Sequence, residues 1–142
     1  MLDEDALARI SLFSQLRRED LKRLGTAMAP RQFPRAGVVL KEGDRPAGFF
    51  VISKGRVEVV HGLGSESERQ LATLGVGDFF GEMGLLDGHP CSASIRALED
   101  TECLVLSRSD FLAELRQNPQ MAVSMLPVLS ARLRQAEKAV FP

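Results

Sequence analysis

Gly77-Asp78-Phe79-Phe80-Gly81-Glu82-Met83-Gly84-Leu85-Leu86, followed by Pro90-Cys91-Ser92-Ala93-Ser94, decides how this chain is read. The first part runs from a tight turn into a short helix. Glycine supplies the positive φ that such turns need, and without a Cβ it lets the backbone come close to a ligand. Amides in the first turn of a helix lack intrahelical partners and sit at the positive end of the dipole. The segment after Gly81 therefore reads as an anion site. Glu82 is at odds with a bare anion, because like charges repel. It fits if its target is a neutral hydroxyl attached to that anion, for instance a ribose 2′-OH. A Gly-Glu pair also fits an ordinary turn with the acid placed on the helix dipole, so the surroundings must decide.

Working outward, 11 of the 12 glycines fall between Gly37 and Gly88, so the middle of the chain reads as turns joining short strands. Val38-Val39-Leu40 is a strand closed by the turn Glu42-Gly43-Asp44. Phe49-Phe50-Val51-Ile52 is another, turned at Lys54-Gly55. Arg56-Val57-Glu58-Val59-Val60 alternates polar and apolar, the mark of a half-buried strand. After the loop Gly62 to Ser67, Leu71 to Leu74 forms a short strand ending at Gly75. Ser92 to Leu98 and Cys103 to Leu106 add two more around the turn Glu99-Asp100-Thr101. Many short strands at this spacing predict a sandwich, barrel or jelly roll.

The ends read as helical. Leu2, Ala6, Leu7 and Ile10 share one face of a first helix, and Leu21, Leu24 and Met28 one face of a second. Ser107-Arg108-Ser109-Asp110 fits a capping box before Phe111-Leu112, and Asn118-Pro119 ends that helix. A last helix runs to about Val140. Its Ala122, Leu126, Leu129, Leu133, Ala136 and Val140 recur at spacings of 4, 3, 4, 3 and 4, a seam that packs on another helix or covers the β core. Pro127 is expected to kink or divide it.

Composition narrows the function classes. A chain of 142 residues fits one domain and buries enough surface to need no disulfide or metal. Lys+Arg number 18 against 19 Asp+Glu, which argues against a domain built mainly to grip nucleic acid. No apolar run approaches the roughly 20 residues of a membrane span. The acidic start Met1-Leu2-Asp3-Glu4-Asp5 is unlike an export signal, and two cysteines fit reduced thiols, so a cytoplasmic location is expected. No nucleophile elbow, phosphate-binding Walker loop or zinc-protease helix appears, so an enzyme is not expected. Glu82 and Asp78 are a pair of acids of a kind common on surfaces. His89, Cys91 and Cys103 match no standard zinc spacing, so no metal or cofactor is expected.

Phe80-Gly81-Glu82-Met83-Gly84-Leu85-Leu86 with Pro90-Cys91-Ser92-Ala93-Ser94 resembles the phosphate-binding cassette of cyclic-nucleotide-binding domains, of the catabolite-activator and protein kinase A regulatory type. Leu12-Phe13, Leu21 to Leu24, Ala36 to Leu40, Glu42-Gly43-Asp44, Phe49 to Ile52, Gly55-Arg56-Val57 and Leu129 to Lys138 match the rest of that family. The resemblance implies a mainly β fold with flanking helices. It would be a double-stranded β-helix, the jelly-roll-like β-roll, with a C-terminal hinge or dimer helix. Residues 1–142 form a single domain in this reading: 1–30 N-terminal helices, 31–107 the β-roll with its cassette at 80–94, and 108–142 C-terminal helices. The resemblance also assigns roles. Gly81 and the amides after it, that of Met83 included, meet the cyclic phosphate, with Cys91, Ser92 and Ala93 near it. Glu82 takes the ribose 2′-OH. Leu71 and Ala72 lie under the base, and Ala136 and Glu137 cap it. The implied ligand is cAMP or cGMP.

One position departs from the pattern. Cys91 is a neutral thiol where the family normally has an arginine that pairs with the phosphate. A hydrogen bond to a charged group is worth roughly 1.5–3 kcal/mol. Losing about 3 kcal/mol weakens binding roughly 100-fold, from micromolar toward submillimolar. Arg96, on the Ser92/Ser94 side by strand alternation, is a candidate replacement. Three readings follow: a sensor with weakened or altered affinity, a scaffold that binds a partner or a second copy through its C-terminal helix, or a thiol sensor at Cys91, whose pKa a helix N-terminus would lower. Transcription factors of this superfamily carry a helix-turn-helix after the long helix. Since the sequence stops at Pro142, DNA binding by this chain alone is not expected.

Overall fold

The computed structural model describes residues 4–140, so Leu2 lies outside the described residues. The chain divides into a β-rich unit of residues 26–112 and a helical unit of residues up to 25 together with those from 113 onward.

In the β-rich unit the strands are β1 (Ala29–Phe33), β2 (Val38–Leu40), β3 (Phe49–Lys54), β4 (Val57–His61), β5 (Arg69–Leu74), β6 (Phe79–Phe80), β7 (Ser94–Ala97) and β8 (Thr101–Leu106). They form two four-stranded sheets, ordered β1-β8-β3-β6 and β2-β7-β4-β5, with antiparallel pairing throughout. The core between them takes Phe50, Ile52, Phe80 and Cys103 from the first sheet and Leu40, Val57 and Ile95 from the second. Phe50 stacks on Phe80 with ring centroids 4.9 Å apart. The other face of β3 is buried too: Phe49 stacks on Phe111 of α4 at 4.4 Å and meets Phe79 at 5.5 Å. A strand closed on both faces must be apolar at every position, which explains the unbroken run Phe49-Phe50-Val51-Ile52.

Two strands escaped the sequence reading. β1 carries Pro30, Arg31 and Gln32 and has no apolar alternation; its pairing with β8 makes it a strand, and its place at the sheet edge tolerates the proline. β6 has only two residues, too few to show a period, and is defined by its pairing with Phe50 and Val51. β7 begins at Ser94 rather than Ser92, because the backbone of Cys91 bonds the turn at Gly43 and Asp44 instead of a strand.

The helices are α1 (Glu4–Ala8), α2 (Arg18–Ala27), α3 (Glu82–Asp87), α4 (Arg108–Gln117) and α5 (Pro119–Val140), with a 3-10 turn at Ser11–Phe13. The first helix is shorter than its pattern implies: Leu7 and Ile10 are buried, but Ile10 lies past the helix end and Ala6 is exposed. Leu21, Leu24 and Met28 are all buried, as their spacing implies. The α4 cap forms, with the Asp110 amide donating to Ser107 Oγ at 3.2 Å.

In the helical unit, Arg23 of α2 holds the buried Glu114 of α4. Arg23 Nε donates to Glu114 Oε1 at 2.7 Å, and Nη2 to Glu114 Oε2 at 3.1 Å and to Asp20 Oδ1 at 3.0 Å. This fork supplies the pairing that two buried carboxylates require. α5 is one continuous helix, and Pro127 does not divide it. Met121 and Met125 are its buried residues. The heptad-like seam is open instead: Leu126 and Leu133 are each 62% exposed and Val140 69%.

Candidate functional site

The site is built on a bend between two short elements. β6 stops at Phe80, and Gly81 turns the chain at φ 88° and ψ −3° to start α3. The turn presses against a neighbouring backbone: a Cβ on Gly81 would stand 2.5 Å from the carbonyl oxygen of Gly48. Only glycine meets both demands. Glu82 opens α3 and is 4% exposed, so its carboxyl group is enclosed at the turn. Gly84 follows two residues on, buried against the ring of Pro46 and the carbonyl of His89, and fixes α3 close to that loop. Met83 points outward at 56% exposure and receives Ser92 Oγ at 3.8 Å from its sulfur, which brings the two halves of the cassette together.

Cys91 is half-buried and packs on the core cluster. Its amide donates to the Asp44 carbonyl at 2.9 Å, and its own carbonyl accepts from the Gly43 amide at 2.9 Å. Burial, and then the Asp44 carboxylate, push the Cys91 thiol above its ordinary pKa. This is opposite to what a reactive thiolate needs, so the thiol-sensor reading loses its electrostatic basis. Ala93 is half-buried and Ser92 exposed. Ser94 is buried, and its Oγ accepts from the Glu42 amide at 2.9 Å.

Arg96 is not available as a replacement for the missing arginine. Its Nε donates to Glu58 Oε2 at 2.9 Å and its Nη2 to Glu68 Oε2 at 3.2 Å. Glu58 also accepts from Gln70 Nε2 at 3.0 Å, and Glu68 from the Gly64 amide at 3.0 Å. The bond from Arg96 holds the Glu58 carboxyl below the usual glutamate range against its burial, with Gln70 helping. The alternation that placed Arg96 near the cassette could not show that Glu58, across the β4–β7 pair, already claims it.

Leu71 and Ala72 lie on β5, at the edge of the second sheet, with β4 between them and β7. Leu71 is 46% exposed, and Ala72 sits opposite Val59 and is exposed. Ala136 and Glu137 are exposed on α5 in the helical unit. The sequence reading missed Gly48 and Asp44 as parts of this site. Glu42-Gly43-Asp44 was legible as a turn, but nothing local signals that the turn bonds the backbone at Cys91. Among the described residues no cluster of His, Cys, Asp or Glu is arranged to hold a metal. No helix among them is long and apolar enough to cross a membrane.

The model of the cyclic nucleotide-binding domain matches residues 30–118, most of the chain and the whole cassette at 80–94. The chain belongs to the cyclic nucleotide-binding domain family. It is 36% identical over 126 residues to the cyclic AMP receptor protein of Thermus thermophilus, covering 89% of this chain and 58% of that protein. It is 31% identical over 108 residues to the cAMP-dependent protein kinase regulatory subunit of Colletotrichum orbiculare, covering 76% of this chain and 27% of that one. The chain thus spans little more than half of the first relative and about a quarter of the second. Among solved structures it resembles the Thermus thermophilus catabolite activator protein, with a TM-score of 0.78 at 37% identity over 92% of this chain and 61% of that one. It also resembles a cyclic nucleotide-binding domain from Methylobacillus flagellatus, with a TM-score of 0.82 at 28% identity over 98% of this chain and 83% of that one. These likenesses agree with the two-sheet roll and its C-terminal helix, the fold expected from the cassette. The cyclic nucleotide-binding domain is a regulatory binding module.

Proposed function

We propose that this domain is a sensor whose ligand sits at residues 80–94, with affinity for cAMP and cGMP lowered by Cys91. In this reading the amides after Gly81, that of Met83 included, meet the phosphate, with Ser92 and Ala93 beside it. Glu82 accepts from the ribose 2′-OH. Leu71 and Ala72 form the floor under the base. Occupancy shifts the C-terminal helix by the difference in affinity between its two positions.

The observation that supports weakened binding is the pairing of Arg96 with Glu58 and Glu68, which takes Arg96 away as a stand-in for the missing arginine. Calorimetric titration of cAMP and cGMP into the wild-type chain and into Cys91→Arg tests it. Wild type is expected to bind in the submillimolar range or weaker, and Cys91→Arg roughly 100-fold tighter. Micromolar binding by wild type overturns the weakened-affinity reading. Silence from both proteins overturns the ligand site.

A second reading is supported by the open seam of α5: Leu126, Leu133 and Val140 offer an apolar stripe for a second copy of the chain. Here the fold is a scaffold and the helix does the binding.

A further inference from the structure

Recognition of a ribose or a phosphate makes no use of one side chain in α3, the thioether of Met83. Met83 is 56% exposed, whereas Met28, Met121 and Met125 are all buried, at 4%, 0% and 2%. Among the described residues, the thioether open to a reagent in solution is therefore the one in the cassette. It also has a neighbour from the other half of the cassette. Ser92 Oγ stands 3.8 Å from the sulfur, and among the described residues its hydroxyl makes no other hydrogen bond. A thioether is a weak acceptor, so this bond joins the two halves only loosely.

Oxidation changes the strength of that join. A hydroperoxide gives a methionine one oxygen. The sulfur lone pair attacks the outer peroxide oxygen, and the S–O bond forms as the O–O bond breaks. The proton on the transferred oxygen passes to the departing one, which leaves as water or an alcohol. Sulfur is oxidised and the peroxide is reduced. The thioether reacts without losing a proton, whereas the Cys91 thiol must, and burial opposes that loss. The product is a polar sulfoxide that reductases return to methionine. Its oxygen is a stronger acceptor than the sulfur was, and the Ser92 hydroxyl is already beside it.

We propose that Met83 is an oxidation site that locks the cassette: a hydroperoxide converts it to the sulfoxide, whose oxygen captures the Ser92 hydroxyl. The two halves of the cassette are then held more firmly, and the hydroxyl is withdrawn from any ligand. The withdrawal rests on the proposal that residues 80–94 hold a ligand. The lock does not.

The test exposes the wild-type chain and Cys91→Arg, which has no thiol in the cassette, to hydrogen peroxide, and maps the added oxygen by peptide mass spectrometry. Met83 is expected to gain it at least about tenfold faster than Met28, Met121 or Met125. Equal rates overturn the proposal. Amide hydrogen exchange of residues 82–94 reads the lock. It is expected to slow on oxidation and to recover after treatment with methionine sulfoxide reductase. It should not respond to peroxide in Met83→Leu, nor slow on oxidation in Ser92→Ala. Exchange that ignores the oxidation of Met83, or slows equally without the Ser92 hydroxyl, overturns the lock. Titration of cAMP reads the withdrawal: oxidised Cys91→Arg is expected to bind at least about tenfold more weakly than before oxidation. Equal affinity overturns the withdrawal and leaves the ligand site standing. If Cys91→Arg binds no cAMP before oxidation, the ligand site falls, and the mass map and the exchange decide the lock by themselves. If a variant does not fold in a thermal melt, the map and the exchange in wild type still decide it.

Discussion

Gly81 and Gly88 separate two ways in which a glycine can matter at one short helix. Both have left-handed φ, 88° and 77°. A Cβ on Gly81 would meet the Gly48 carbonyl oxygen at 2.5 Å, whereas nothing stands within 4 Å of one on Gly88. Gly88→Ala therefore pays only the left-handed conformation, about 1 kcal/mol. Gly81→Ala adds a collision with backbone, which cannot rotate away, and is expected to cost about 2–4 kcal/mol in all. Urea unfolding of the two variants checks this. Equal losses would mean that the approach of Gly81 to Gly48 is not tight in solution.

At the scale of elements, the Arg96 fork ties β7 to β4 and to the loop after it. Glu58 is held below its ordinary pKa of 4.5 by its bond from Arg96, and then by Gln70, in spite of burial. A carboxyl with a lowered folded pKa adds stability above its unfolded value, and that stability is lost as pH falls through the folded value. Wild type is therefore expected to lose stability on acidification from around pH 4.5 downward. Glu58→Gln keeps the shape but removes the charge. It is expected to be less stable by about 1 kcal/mol at neutral pH and to show a shallower acid limb. Thermal midpoints across an acid series give the comparison, and an unchanged slope in Glu58→Gln would remove Glu58 from the account.

On the scale of the whole molecule, the roll carries the cassette while the helical unit carries α5 and its open seam. If the seam joins two copies, Leu126→Lys with Leu133→Lys places charges on the seam and dissociates them. Sedimentation equilibrium is expected to give a dimer for wild type and a monomer for the double variant. Wild type sedimenting as a monomer at high concentration would retire this use of the helix. The substitutions remove leucines that are already 62% exposed, so the fold itself should survive them.

Turn chemistry and hydrophobic period act within a few residues of one another, and where they governed, the sequence alone was sufficient. It located the turns at Gly43, Gly55 and Gly81, the buried run of β3, the cap at Ser107 and the length of α5. Gly81-Glu82-Met83-Gly84, with its flanks, was enough to place the chain in its family. What stayed hidden depends on partners far apart in the chain. β1 is a strand because β8 pairs with it, and its own residues do not announce one. Arg96 looked free because the residues that hold it, Glu58 and Glu68, lie 38 and 28 positions away. Asp44 reached Cys91 only through the folding of one loop onto another. The family was therefore legible from local pattern, while the charge that a ligand meets was decided by tertiary structure, because electrostatic partners are chosen by proximity in space.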